Sequence, residues 1–146
     1  MKAKSGFTLV EILIVVVILG ILAAIVIPQF TEASTEAKTS SLCTDLQTMR
    51  SQIELYKIQH NDQLPGAGTA SFILALTGYT DIAGAVAAGP GANVYGPYIQ
   101  KIPTNQFVDD DTIDMTGTPG NAGGGWDFNI TTGAFHADDT VEHAAL

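Results

Sequence analysis

One carboxylate stands where carboxylates are rarely placed. Glu11 follows Phe7-Thr8-Leu9-Val10 and precedes Ile12 to Ile27, a stretch with no polar side chain. From Phe7 to Ile27 the apolar segment is 21 residues long, interrupted by that single acid. A helix needs about 20 apolar residues to cross a bilayer core, and a carboxylate inside such a helix costs roughly 2.5–3.5 kcal/mol and usually serves a partner. An α-amino group on Phe7 would be one partner, because positions i and i+4 share a helix face. That amine exists only if the chain is cut between Gly6 and Phe7.

A second group of acids has a different chemistry. Asp109-Asp110-Asp111-Thr112-Ile113-Asp114 places four carboxylates in one short stretch. Hard cations such as calcium take carboxylate and carbonyl oxygens from loops of this kind, and a solvated acidic turn has the same composition. His60, His136 and His143 have no metal-ligand spacing and read as solvated side chains. Cys43 is alone, so no intramolecular disulfide forms, and it reads as a small packing residue on a helix. There is no G-x-S-x-G, no phosphate loop and no cysteine–histidine pair, so no catalytic constellation is expected and the chain reads as a non-enzyme.

The elements around Glu11 give it an orientation. Residues 1–6 hold Lys2 and Lys4 and no acid. Positive charge keeps such a short leader in the cytoplasm, which sends everything from Pro28 onward across the membrane. An ordinary secretory signal cut near Ala23-Ala24 and an uncleaved anchor are the plainer readings. Neither explains Glu11, and the first does not explain why the helical pattern continues past Pro28.

The order Gly6, Phe7, Thr8, Leu9, Val10, Glu11, behind a basic leader and ahead of an uninterrupted apolar run, resembles the processing signal of type IV pilins and type II secretion pseudopilins. The resemblance covers about the first 35 residues strongly. It implies cleavage after Gly6 by a prepilin peptidase, N-methylation of Phe7, and a Glu11 that neutralises the Phe7 amine of a neighbouring subunit. It also implies inner-membrane lipid, an assembly platform with its ATPase, minor pseudopilins and further copies of the same chain as partners. Many type IV pilins close a C-terminal loop with a disulfide, which this chain cannot do.

Beyond the apolar run the pattern stays helical. Pro28 removes one helical hydrogen bond and is expected to kink the helix. Leu42, Leu46, Met49, Ile53 and Tyr56 then recur at intervals of 4, 3, 4 and 3, an apolar stripe. Between Gln29 and Gln59 there is no Gly and no further Pro. One helix is therefore expected from Phe7 to His60, a transmembrane half over 7–27 and an amphipathic half over 28–60, roughly 80 Å in all. Asn61 to Gly66 ends it. The head, 61–146, is expected to cover the stripe.

Within the head, Ala70 to Tyr79 reads as a short helix with Phe72, Ile73 and Leu76 facing inward, and Asp81 to Asn93 as an irregular loop. Tyr95 to Asn105 resembles a Gly-Pro-Tyr segment of major type II pseudopilins, with Gln106 where that pattern has a second proline; a generic Pro-rich loop is the alternative. Gly123-Gly124-Gly125-Trp126-Asp127-Phe128-Asn129-Ile130-Thr131-Thr132-Gly133-Ala134-Phe135-His136 reads as a β-hairpin, with Trp126 and Phe128 alternating against Asp127 and Asn129 and Gly133 supplying the turn. Asp138 to Leu146 is expected to fray. Major pseudopilins bear a calcium loop near the C-terminus, but the acid-and-glycine pattern that precedes the tryptophan there is not visible between Gly117 and Gly125, so no ligand carries over by position.

The expected fold is α+β and pilin-like: a long N-terminal helix packed on a small antiparallel sheet. Formal charge is −9 with Lys+Arg 6 against Asp+Glu 15, and losing Lys2 and Lys4 with the leader takes it to −11. Such a balance excludes the basic footprint of nucleic-acid binding. The expected function is structural: a subunit of a type II secretion pseudopilus. A type IV pilin for adhesion, motility or DNA uptake is the second reading, and a binding module on a membrane anchor the third.

Overall fold

A computed structural model describes residues 6–146. The leader lysines Lys2 and Lys4 lie outside the described residues. The elements are α1 (Leu9–Gln59), α2 (Phe72–Thr77), β1 (Tyr79–Asp81), β2 (Val86–Ala87), β3 (Val94–Tyr95), β4 (Ile113–Asp114), β5 (Trp126–Phe128), β6 (Phe135–Ala137) and α3 (Val141–Ala144). The chain divides into two compact units, one ending at Thr39 and one comprising Ser40–Leu146.

Among the described residues, the first unit is helix from Leu9 onward. Every large hydrophobic side chain from Leu9 to Ile27 is more than half exposed, as expected of a segment whose solvent is lipid rather than a protein core. The helix is long and apolar enough to cross a membrane. It begins at Leu9 rather than at the expected Phe7. Pro28 lies inside it and the helix continues through that position. Thr31, Thr35 and Thr39 donate their hydroxyls to the carbonyls four residues back, at 3.2, 3.1 and 3.0 Å, so these side chains are satisfied within the helix itself.

In the second unit the apolar stripe is buried as its spacing requires. Leu42, Leu46, Met49, Ile53 and Tyr56 join Phe72, Ala75, Leu76, Ile102, Trp126, Phe128, Phe135 and Ala137 in one core. The helix ends at Gln59, because Asn61 and Asp62 take positive φ of 53° and 63° and no right-handed helix survives such angles. Ser71 caps α2, its hydroxyl accepting from the Leu74 amide. The cap sets the phase of the short helix. Phe72, Ala75 and Leu76 face the core and Ile73 is 47% exposed, so the expected inward Ile73 is corrected to Ala75.

The glycine-rich stretch is more ordered than its composition suggests. The Asp81 carboxylate accepts from the Ala83 and Ala85 amides, both at 2.9 Å, closing a turn in which Gly84 has φ 73°. That turn pairs β1 with β2, and β3 adds to the other side, an antiparallel sheet ordered β2-β1-β3. Residues 81–93 are thus a hairpin and a return, not an irregular loop.

The second sheet is ordered β4-β5-β6. The expected hairpin is β5 and β6, antiparallel with Asp127 opposite His136, and Gly133 turns it at φ 78°. β4 pairs with β5 in parallel, so this sheet is mixed rather than wholly antiparallel. The Trp126 indole donates to the Pro103 carbonyl at 2.8 Å and its ring lies 5.4 Å from Phe135. Asn105 is fully buried and joins three segments, its amide donating to the Gly125 carbonyl and the Asp139 carboxylate.

The C-terminal residues do not fray. Thr140 caps α3, the His136 ring meets the Ala144 carbonyl, and Arg50 donates to the carbonyls of Phe135 and Leu146, each at 3.0 Å. The histidines are also placed differently from expectation. His60 is fully buried, and His143 contacts Asp139 at 2.5 Å beside the Phe107 ring.

Candidate functional site

The start of α1 explains how an acid is held in an apolar segment. The Glu11 carboxylate accepts from the Thr8 amide and from the Thr8 hydroxyl, both at 2.8 Å, while the Thr8 hydroxyl accepts from the Glu11 amide at 3.2 Å. This is a reciprocal capping box: two amides that the helix leaves orphaned are satisfied, and the acid sits at the positive end of the helix dipole. Sequence reasoning gave Glu11 the Phe7 amine as its partner, by i, i+4 spacing and by the resemblance to a neighbouring subunit's amine. The Thr-x-x-Glu spacing was present as a signal and was missed.

Immediately ahead of the cap, Gly6 and Phe7 are exposed and outside regular structure. Nothing lies within 4 Å of the position a Gly6 side chain would take, and Phe7 is 82% exposed. Both residues of the Gly6–Phe7 bond are therefore exposed, and the bond lies outside the capping box.

The four aspartates of the expected cation loop do not converge. The Asp110 carboxylate accepts from the Thr112 amide and hydroxyl, each at 2.9 Å, which holds it below the ordinary carboxylate range. Asp114 is likewise held low by the Thr116 hydroxyl. Asp109 and Asp111 face solvent. Among the described residues, no three His, Cys, Asp or Glu side chains form a metal-holding group.

Oxygens do gather one loop further on. A side chain on Gly123 would begin 2.7 Å from Asn121 Oδ1, 2.7 Å from Asp114 Oδ2 and 3.3 Å from Asp138 Oδ2. Asp138 is fully buried and accepts from the amides of Asn121, Gly123 and Gly124. Asp127 is buried beside it. One oxygen accepts from the Gly117 amide at 3.0 Å, and the other has no partner. Burial raises the Asp127 carboxyl above its usual range, with the charges of Asp138 and Asp114 adding to the effect and the Gly117 amide opposing it. Strand alternation sets Asp127 apart from Trp126 and Phe128, and Asp138 falls in the segment expected to fray; of this group only Asp114 is among the sequence-predicted cation ligands.

Comparisons with known proteins agree with the N-terminal geometry. Residues 1–27 match the prokaryotic N-terminal methylation motif. The chain is 30% identical over 112 residues to a type II secretion system core protein G of Klebsiella pneumoniae, covering 75% of this chain and 74% of that one. It is 42% identical over 59 residues to the protein of the same name from Pseudomonas aeruginosa, a match spanning 40% of this chain and 42% of that protein. A fimbrial protein of Pseudomonas aeruginosa is 41% identical over 54 residues, 37% of this chain and 35% of its own length. No solved structure matches.

Proposed function

The chain belongs to the family of type II secretion system core protein G, and from that premise we propose that it is a major pseudopilin, a subunit that polymerises into a periplasmic fibre helping to export folded proteins. The observation that carries the reading is the start of α1: an exposed Gly6–Phe7 bond ahead of a Thr8–Glu11 capping box and an apolar helix long enough to span a membrane. The subunit is made with its leader in the cytoplasm and its head beyond the inner membrane. A prepilin peptidase removes residues 1–6 and methylates Phe7. An assembly platform and its ATPase then draw subunits out of the lipid, with minor pseudopilins as further partners, and Glu11 meets the Phe7 amine of the next subunit. The role is structural and needs no catalysis.

A type IV pilin is the competing reading; its support is the fimbrial relative, which matches over 54 residues. Expression with the secretion machinery, shearing of the cells and electron microscopy test the proposal. Fibres with intact mass lowered by residues 1–6 and raised by one methyl are expected. A processed protein that never leaves the membrane as fibres would favour a binding module on an anchor.

Calcium is proposed as a ligand of the head, held by Asp114, Asn121 and Asp138 around Gly123 rather than by Asp109, Asp110 and Asp111. The oxygens at that point and the orphaned Asp127 oxygen support it. The cation would tie β4 to the chain after β6 and neutralise buried carboxylates.

A further inference from the structure

We propose that Asn129 is the acceptor of an N-linked glycan, transferred from a polyprenyl-diphosphate oligosaccharide after the head has crossed the membrane. The inference rests on the export reading above and adds a covalent modification to it. Of Asn61, Asn93, Asn105, Asn121 and Asn129, only Asn129 is followed two positions on by Ser or Thr, with Ile130 between it and Thr131. Asn-x-Ser/Thr, with any residue but proline at x, is the acceptor sequence for N-glycosylation and belongs on a surface loop of an exported protein. Here it lies at the tip of the β5–β6 hairpin, where Ile130, Thr131 and Thr132 are all exposed. Exposed loop tips with polar residues are where processing enzymes gain access to a folded chain.

The side-chain amide is oriented for transfer. Asn129 Oδ1 accepts from the Thr131 and Thr132 amides at 2.9 and 3.0 Å, which fixes the group and leaves Nδ2 as its open end. Nδ2 has no hydrogen-bond partner among the described residues, and the one buried side-chain nitrogen or oxygen without a partner is Asp127 Oδ1, so water reaches Nδ2. A side chain on Gly117 would begin 2.6 Å from Nδ2, and the glycine leaves that approach clear. The turn is closed by its backbone: the Asn129 amide donates to the Ala134 carbonyl at 2.9 Å and the Gly133 amide to the Asn129 carbonyl at 2.8 Å. A substituent on Nδ2 breaks neither bond. In the transfer, Nδ2 bonds to the anomeric carbon of the first sugar, and the bond from that carbon to the diphosphate oxygen breaks. Polyprenyl diphosphate leaves with the electron pair, and one amide proton passes to a base of the transferase. The Thr131 hydroxyl, on an exposed residue, is the group the transferase reads beside the amide.

Intact mass of the full-length chain tests this. The chain is expressed in a bacterium that carries a membrane oligosaccharyltransferase and a polyprenyl-diphosphate oligosaccharide of known mass, and that glycosylates a control acceptor. Membrane-extracted protein should include a species heavier by one such glycan, carried on the peptide that holds Asn129. Thr131→Ala should abolish the heavier species. It keeps the backbone amide that Asn129 Oδ1 accepts from, so its loss of glycan reports recognition of the hydroxyl rather than collapse of the turn. Thr131→Ser should restore the species, and Thr132→Ala should retain it. A parent without added mass, beside a modified control acceptor, would overturn the inference. So would a glycan that survives Thr131→Ala or maps to another residue. Protease added to spheroplasts separates this from the reading beneath it. A head digested yet unmodified overturns the inference alone, whereas a head the protease never reaches overturns export and the inference together.

Discussion

His60 lies flat on Tyr56, ring centroids 3.7 Å apart and planes 3° from parallel. The same imidazole meets the Tyr56 carbonyl and the Thr80 hydroxyl, each at 2.9 Å. Because a carbonyl only accepts, Nδ1 carries the proton, and Nε2 faces Thr80. The end of α1 is thereby joined to β1 through a side chain that has no solvent contact. Tyr98 closes the group from the edge of the Tyr56 ring, its hydroxyl donating to Gln59, and burial pushes that phenol up to about 12.

His60→Ala should therefore destabilise the head by about 2–4 kcal/mol, combining a cavity with an orphaned Thr80 hydroxyl. The check is thermal unfolding of a soluble chain beginning at Gln29. A change within experimental error would mean the ring is not the joint described.

Trp126→Ala should cost about 3–5 kcal/mol. It removes the largest buried side chain and strands the Pro103 carbonyl it satisfies. Against a typical total of 5–15 kcal/mol, the head should unfold at a much lower temperature or lose its cooperative transition. An unchanged melting curve would contradict the core as described.

Glu11→Ala should leave Gly6–Phe7 cleavage intact, ease membrane insertion by removing a charge, and stop or sharply slow fibre growth. Thr8→Val separates the two roles of the acid. It keeps the carboxylate for a neighbour but deletes the hydroxyl that accepts from the Glu11 amide, a cap worth about 1 kcal/mol. Processed Thr8→Val should assemble, more slowly than the parent. Normal fibres from Glu11→Ala would remove the carboxylate from the assembly mechanism.

Asp127 sets a pH dependence with a definite sign. Its carboxyl is harder to ionise when folded, so its contribution to stability is fullest below the unfolded carboxylate range, near 4, and is lost as pH rises through its folded value. Asp127→Asn should raise the melting temperature at pH 7 by a few degrees, with on the order of 1 kcal/mol at stake for an orphaned buried acceptor, and the gain should vanish in acid. Asp110 and Asp114, held low by hydrogen bonds, slope the other way, so parent and variant are compared at each pH.

Millimolar calcium should raise the melting temperature of the parent head by mass action on the folded state. Asp138→Asn and Asp114→Asn should lose that rise, and Asp111→Asn should keep it. A parent unmoved by calcium disposes of the cation proposal.

Long-period features were legible in the sequence. The run Ile12–Ile27, the Leu42–Tyr56 stripe and the Trp126–Phe135 hairpin each repeat one physical requirement over many residues, and each stands where its pattern put it. What escaped depends on single contacts. His60 has no neighbour in the sequence to announce Thr80, and Asp127 looks outward by strand alternation until Gly117 and Asp138 fold over it. The β1–β2 pairing rests on one Asp81 carboxylate gathering two amides, which composition hides under its glycines. Thr8 and Glu11 are the exception, a local motif in plain spacing that the pairing of Glu11 with the Phe7 amine leaves unread.

The parallel pairing of β4 with β5 limits how the chain between them can change. Parallel neighbours cannot be joined by a tight turn, because the connection must travel back the length of the strand before the next begins. Residues 115–125 are that return path, so their number has a floor and no comparable ceiling. Surplus residues inserted near Thr118 would bulge outward at small entropic cost. Deletions there would shift Trp126 against Ile113 and change which faces the hairpin shows. The segment of this chain is therefore expected to tolerate lengthening and to resist shortening.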